Sequence, residues 1–162
     1  MRLEPLVAAH AGEMFEVLSD PAIYQFIEDQ PPQSVEALRA RYEKLQTRKS
    51  LDSTEEWLNW VVRNERDRLA GYVQATVRSG IAWIAFVLSS ADWGKGLAQQ
   101  ATRQMIEILK TDFEVTHLLA SVDQRNARSL RLLQTLSFSV ASNKERAAFD
   151  LLPSDVLLMR EA

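Results

Sequence analysis

The sequence predicts a mixed α/β fold of the α+β kind, in which a largely antiparallel sheet of about six to seven strands is flanked by about four helices. Two neighbouring runs rich in Val, Ile and aromatic residues, 69–77 and 81–88, are separated by the hairpin signal Arg78-Ser79-Gly80. Residues 97–109 carry apolar side chains at helical spacing. Together with the order of the remaining runs, βααβββαβαββ, these observations predict both antiparallel and parallel strand pairing.

Composition limits the class of protein. The 162 residues, 46% of them hydrophobic, predict one domain that covers residues 1–162. A formal net charge of -3 argues against nucleic acid as a partner. The absence of cysteine excludes disulfides, thiolate metal sites and cysteine nucleophiles. We expect no metal, no membrane partner because no run approaches the length of a membrane span, and a cytoplasmic location.

The first third of the chain predicts one strand and two helices. Residues 1–6 form a short strand that Pro5 ends, and residues 7–19 have helical apolar spacing. The acidic and Pro-rich residues 28–32 predict a loop. Ser34 then caps a second helix that runs to Lys49.

The remaining elements alternate around the central hairpin. Residues 57–62 predict a strand in which Trp57 and Trp60, three positions apart, face opposite sides of the sheet. Later elements are a strand at 118–122, a helix from the N-cap Asn126 to Leu136 with Leu132, Leu133 and Leu136 inward, and closing strands at 138–141 and 155–159. A charged connection containing residues 143–146 and Pro153 joins the closing strands.

A Gly-rich turn, Asp92-Trp93-Gly94-Lys95-Gly96-Leu97-Ala98, joins the strand 81–88 to the helix 97–109. Free N–H groups at such a helix start, together with the helix dipole, favour an anion such as pyrophosphate. The turn lacks the third glycine of the Rossmann pattern and the Lys-Ser or Lys-Thr pair of the Walker pattern. An ordinary strand-to-helix turn fits these residues equally well.

Two motifs in register resemble those of the GCN5-related N-acetyltransferases, and in particular the branch that acetylates ribosomal-protein N-termini. The turn is similar to the family's acetyl-CoA loop, with Gly96 and Ala98 matching and Trp93 in place of the leading Gln or Arg. Asn126 and Ser129, followed by Phe138, are similar to the family's Asn-x-x-Ser run that ends in Gly-Phe, with Ser137 in place of that glycine. The similarity covers nearly the whole chain.

The resemblance implies where acetyl-CoA binds as cosubstrate. Its pyrophosphate would lie on the loop amides, and its pantetheine arm would hydrogen-bond to the strand end as an extra strand does. That strand end is also explained by core packing alone. The implied cofactor-binding residues are Phe86, Val87, Leu88, Trp93, Gly94, Lys95, Gly96, Leu97, Ala98, Asn126 and Ser129.

The resemblance also implies catalytic roles. Ser129 or a water would donate a proton to the leaving thiolate, because Leu133 stands where many relatives carry a general-acid Tyr. Glu145 lies in the segment where this branch carries a catalytic carboxylate, and Asp150 competes with it. His117, a lone histidine entering a strand, is better explained as structural. An N-cap and an exposed first-turn residue would explain the Asn-x-x-Ser pair equally well.

The acceptor-binding residues are the hardest to predict. Glu28 and Asp29 occupy the region of the substrate rim, where acidic groups attract a cationic amine, although a solvated loop also explains them. Trp57 is a further candidate, and core packing is its alternative role.

We therefore expect an acetyl-CoA-dependent N-acetyltransferase that transfers the acetyl group directly to a primary amine of a small molecule or of a protein N-terminus. The alternatives are an acyl-CoA-binding sensor without turnover and an apolar interaction domain without a cofactor. A homodimer is a reasonable expectation for a soluble enzyme.

Overall fold

Seven strands form one sheet in the order β1-β2-β3-β4-β5-β7-β6 in the computed structural model, which describes residues Met1–Ala162. All neighbouring strands pair antiparallel except β4 and β5, which pair parallel. The predicted fold class is thereby confirmed. The strands are β1 (Arg2–Pro5), β2 (Glu56–Arg63), β3 (Leu69–Arg78), β4 (Ile81–Leu88), β5 (His117–Asp123), β6 (Ser139–Val140) and β7 (Asp155–Glu161).

Five helices accompany the sheet, and two of them begin at the caps that the sequence predicts. The Ser34 hydroxyl accepts a hydrogen bond from the Ala37 N–H (3.0 Å), and the Asn126 side chain accepts one from the Ser129 N–H (3.1 Å). None of the helices is both long enough and apolar enough to cross a membrane. The helices are α1 (Ala11–Leu18), α2 (Val35–Leu45), α3 (Leu97–Asp112), α4 (Ala127–Thr135) and α5 (Asn143–Arg146).

Apolar side chains on the two faces of the sheet form two separate clusters. The larger one contains buried residues of α3 and α4, such as Met105 and Leu133, and buried residues of all strands from β2 to β5. The smaller one joins α1 and α2 to the opposite face through Met14 and Leu38. In β2, Trp60 belongs to the larger cluster and Val61 to the smaller, as the alternation of side chains in a strand requires.

The structure differs from the predicted elements near both ends of the chain. Residues 7–19 are divided into a 3₁₀ turn, Ala8–His10, and α1. The predicted charged connection contains the short helix α5, because Ser142 and Glu145 cap it reciprocally. Strand β7 lies between β5 and β6, an order in the sheet that no local sequence pattern specifies.

An ion pair fixes the edge strand β1 to the rest of the sheet, and it should make stability depend on pH. The Arg63 Nε donates to Glu4 Oε1 (2.7 Å), and this hydrogen bond lowers the pKa of Glu4 to about 2. Because the pKa is depressed in the folded state, the stabilisation is present above the ordinary glutamate range and is lost as pH falls towards 2. We expect Glu4→Gln to lower the free energy of unfolding at pH 7 by about 1 kcal/mol.

Urea unfolding of the wild type and of Glu4→Gln between pH 7 and pH 2.5 measures this effect. The difference between the two proteins should shrink as the wild-type carboxylate becomes protonated. Glu65→Gln is the matched control, because Glu65 is exposed and makes no ion pair. A difference that stays constant across this range would contradict the assignment.

Candidate active site

Strands β4 and β5 separate along half of their length and open a cleft in the middle of the sheet. They pair only over residues 81–83 and 117–119, and beyond Trp83 and Leu119 no pairing continues. Two connected cavities of about 270 and 480 Å³ fill the gap. The residues that line both of them are Gln25, Phe26, Ile27, Phe86, Val87, Arg125, Asn126 and Ser129.

The gap exposes backbone polar groups of β4. The Ser89 N–H donates to the Ala70 oxygen (2.7 Å). Because hydrogen-bonded and non-hydrogen-bonded pairs alternate along two antiparallel strands, this bond identifies which residues of β4 bond to β3. Val87 therefore directs its backbone groups to β3, whereas Phe86 and Leu88 direct theirs to the gap. The Trp93 Nε1 donates to the Leu88 oxygen (2.9 Å). Phe86 thus presents a free strand edge to any extended ligand in the cleft.

The Gly-rich turn presents backbone N–H groups without hydrogen-bond partners next to this edge. Gly94 and Gly96 both have φ of +76°, and a Cβ added to either would meet nothing within 4 Å. The backbone N–H groups of residues 94–99 donate to no protein atom. They also stand at the positive end of the α3 dipole. This geometry suits an anion of the size of a phosphate or pyrophosphate.

The side chains of the turn differ in their relation to the cleft. Trp93 lines the cleft, and the Arg128 guanidinium of α4 lies 3.7 Å from the centre of its ring. Lys95 turns away, since its Nζ donates to the Ala91 oxygen (2.5 Å) and to Asp92 (3.3 Å). Leu97 is buried in the core. Of these residues, Arg128 is therefore the one that brings a cation to the cleft wall.

Ser129 lies where the two cavities meet. Its backbone N–H is held by the Asn126 side chain, and its hydroxyl makes no hydrogen bond within the protein. Leu133, one helical turn further along α4, is fully buried. Leu133 belongs to the larger core cluster and also lines the larger cavity, and its aliphatic side chain cannot donate a proton.

Carboxylates surround the far end of the cleft. Glu28, Asp29, Asp123 and Asp155 all line it. Asp123 pairs with Arg125 through two hydrogen bonds of 2.9 and 2.6 Å, which lower its pKa to about 2. Asp155 lies opposite Asp123 in the sheet, and burial, followed by the charges of Asp123 and Glu28, raises its pKa. The environment of Asp155 therefore favours binding a proton.

Several residues singled out from the sequence lie away from the cleft. The Glu145 carboxylate accepts the Ser142 N–H and hydroxyl (both 2.7 Å), which lower its pKa, and it lines neither cavity. Asp150 is exposed and lines neither cavity. Trp57 donates through Nε1 to Glu55 (3.1 Å), outside the cleft lining. His117 lies at the paired end of β4 and β5, opposite to the opening.

Sequence patterns did not indicate Asp155, Arg128 or Tyr72 as cleft residues. Asp155 reaches the cleft through the nonlocal pairing of β7 with β5, and Tyr72 through its place in β3. Arg128 could have been identified from the sequence as a cleft residue, because it lies between Asn126 and Ser129 of the Asn-x-x-Ser motif, on the first turn of α4.

The family described as acetyltransferase (GNAT) domain matches residues 1–139 of this chain. The chain is a member of this GNAT family, and it is an acetyl-CoA-dependent acyltransferase.

Relatives agree with this assignment. The Bacillus licheniformis protein named uncharacterized N-acetyltransferase p20 is 24% identical over 140 residues, which are 85% of this chain and 78% of that protein. The structure of ribosomal-protein-S5-alanine acetyltransferase from Vibrio fischeri is similar with a TM-score of 0.80 and 15% identity, covering 98% of this chain and 91% of that one. The structure of aminoglycoside acetyltransferase AAC(6')-Ib in complex with coenzyme A is similar with a TM-score of 0.77 and 17% identity, covering 98% of this chain and 93% of that one. At these identities, the two structures show the shared fold alone.

Proposed function

We propose that this protein transfers the acetyl group of acetyl-CoA directly to a primary amine of a small molecule or of a protein N-terminus. The observation that carries the proposal is the meeting of a free β4 edge with the unpaired N–H groups of residues 94–99 at one end of a single cleft. An extended chain that ends in a pyrophosphate matches both features, because the edge binds amides and the helix start binds anions.

The residues that hold acetyl-CoA are inferred from this geometry. Phe86 offers its backbone N–H and C=O to the pantetheine arm, while Gly94, Gly96 and Ala98 offer N–H groups to the pyrophosphate. Val87 contributes its side chain to the cleft wall, since its backbone groups are paired with β3. Lys95 and Leu97 contribute through the backbone only.

The amine attacks in its neutral form, so an amine that arrives as a cation first releases one proton to solvent. The transfer then forms an amide bond, breaks the thioester C–S bond, takes one proton from the amine nitrogen and delivers one to the thiolate. Ser129 is the group that we assign to donate to the thiolate, since its hydroxyl makes no hydrogen bond within the protein and the residue lines both cavities. Asp155 is the group that we assign to accept the amine proton, since it lines the acceptor end and has a raised pKa. Glu28 and Asp29 attract the cationic amine to the entrance.

Acetyl-CoA binding and turnover can be tested separately. Titration calorimetry measures binding of CoA, and release of free thiol from acetyl-CoA measures transfer to a panel of primary amines. Binding with turnover supports the proposal. Binding without turnover on any amine would favour the acyl-CoA sensor instead, and failure to bind CoA would refute both functions.

Arg128 provides a prediction about cofactor affinity. Its guanidinium stacks on Trp93 at the cleft wall, next to a loop with no other cation directed to the cleft. We expect Arg128→Ala to weaken CoA binding by about tenfold, because a charge-assisted contact to phosphate is worth about 1.5 kcal/mol. Calorimetry at low salt measures the change.

Arg103→Ala is the matched control for this measurement, because Arg103 is exposed on α3 and lines neither cavity. Trp93→Ala should weaken CoA binding in the same direction as Arg128→Ala, since it removes the surface on which the guanidinium rests. Unchanged affinity in Arg128→Ala would show that this arginine faces solvent only.

A further inference from the structure

A third cavity lies on the α1 and α2 side of the sheet, under α2. Its volume is about 180 Å³, and it is lined by apolar side chains from both helices and from the strands β3 and β4, while β2 contributes the polar Asn59. A dry apolar cavity of about 150 Å³ is large enough to bind benzene. This cavity can therefore hold one ring or one branched side chain. Its apolar wall includes Leu18, Ile27, Leu38, Leu45, Tyr72 and Val87.

One polar group in the cavity wall has no partner. Tyr42 is only 3% exposed, and its hydroxyl makes no hydrogen bond with any protein atom. Burial raises the pKa of Tyr42, so the phenol stays neutral and can both donate and accept. Buried hydroxyls are nearly always paired in folded proteins, and an unpaired one costs stability. A bound group with a polar tip would satisfy it.

The cavity adjoins the acceptor end of the cleft, since six residues line both spaces. A group attached to an amine in the cleft therefore lies next to the cavity, and Tyr72 and Val87 form part of the wall that the two spaces share. The residues that line both spaces are Ile27, Asp29, Arg41, Tyr72, Gln74 and Val87.

Charges are confined to the rim of the cavity. Arg41 Nη1 and Asp29 Oδ2 lie 3.6 Å apart, and their side chains are 58% and 42% exposed. Both residues line the cavity and the cleft, so any ligand passes between charged groups and an apolar interior. An amphipathic ligand with its charge at the rim matches this arrangement better than a polycation does.

We propose that the acceptor is an amine that carries one apolar group of about the size of an aromatic ring, tipped by a hydrogen-bonding atom that pairs with the Tyr42 hydroxyl. This inference rests on the proposed N-acetyltransferase function and names the class of its acceptor. Tyramine is the probe that has all of these features. Phenethylamine lacks the polar tip, and ethanolamine lacks the ring.

The experiment compares the rates of acetyl transfer to these three amines. Calorimetry measures the binding of tyramine directly and needs no turnover. The wild type should use tyramine with a kcat/KM at least tenfold above that of ethanolamine, and with phenethylamine in between. Tyr42→Phe should raise KM for tyramine until it equals that for phenethylamine. The same substitution should raise Tm by about 2 to 4 °C, because it removes an unpaired buried hydroxyl.

A second variant fills the cavity without changing the core. Ala37 lines the cavity and is exposed, so Ala37→Phe should reduce kcat/KM for the two ring amines tenfold and leave that for ethanolamine unchanged. Ala40→Phe is the matched control, since Ala40 is exposed on the same helix and does not line the cavity.

The outcomes separate the two proposals. Failure to bind CoA refutes the proposed function. Transfer that favours ethanolamine, with no change of selectivity in Ala37→Phe, refutes the acceptor class and leaves the function standing. If tyramine does not bind to the wild type in the calorimeter, the acceptor class is refuted whether or not other amines react.

Discussion

Gly96→Asp should weaken CoA binding by about 100-fold, which corresponds to about 3 kcal/mol, while the protein remains folded. Gly96 has φ of +76°, and an added side chain would point into open space beside the free N–H groups of residues 94–99. Asp tolerates this conformation better than most residues. Its carboxylate would occupy the position that the pyrophosphate needs and would repel it.

Two variants isolate the charge from the backbone effect. Gly96→Asn has nearly the same shape without the charge, and it should weaken CoA binding by about tenfold or less. Gly80→Asp places the same residue at the same φ of +76° in the hairpin between β3 and β4, remote from the cleft. It should lower Tm as Gly96→Asp does and leave CoA binding unchanged.

Calorimetry with CoA and a thermal melt of each variant measure both effects. If Gly96→Asp is folded and binds CoA with wild-type affinity, the loop is not the anion site. Equal losses of affinity in Gly96→Asp and Gly96→Asn would instead assign the effect to the backbone of the loop.

Local chemistry explains why much of the fold could be predicted. The Gly80 turn, the Ser34 and Asn126 caps and the apolar spacing of α3 are all determined by residues close in sequence, and the structure has each of them. The position of β7 between β5 and β6 depends on its pairing with β5, which spans more than 30 residues and which no local signal encodes.

The same distinction applies to the cleft. The Gly-rich turn and the Asn126 to Ser129 segment are contiguous motifs, and the family resemblance that they carry implied their place beside the β4 edge. The carboxylates at the acceptor end come from separate loops and strands, and only the folded chain brings Glu28, Asp123 and Asp155 to one cavity. The family resemblance pointed instead to Glu145, whose carboxylate is engaged in capping α5.

Asp155→Asn is therefore expected to reduce kcat/KM about 100-fold at neutral pH with no change in CoA affinity, which is the usual size of a general-base contribution. The substitution keeps the shape of the side chain and removes the proton-accepting carboxylate. Glu145→Gln and Asp150→Asn are the controls, since both residues are exposed outside the cleft lining. Glu145→Gln also retains a side chain that can cap α5. If Glu145→Gln loses activity and Asp155→Asn does not, the base is assigned to the wrong carboxylate.

The pH dependence distinguishes a base from a structural residue. Burial raises the pKa of Asp155 in the folded protein. The fall of kcat/KM at acidic pH should therefore begin above the pH range of an ordinary aspartate, and this fall should be absent in Asp155→Asn. A limb from the ionisation of the amine itself, near pH 10, should remain in both proteins. Because the folded pKa is raised, ionised Asp155 costs stability as pH rises through that pKa. Asp155→Asn should therefore melt no lower than the wild type at pH 7, whereas a structural carboxylate would leave the variant less stable.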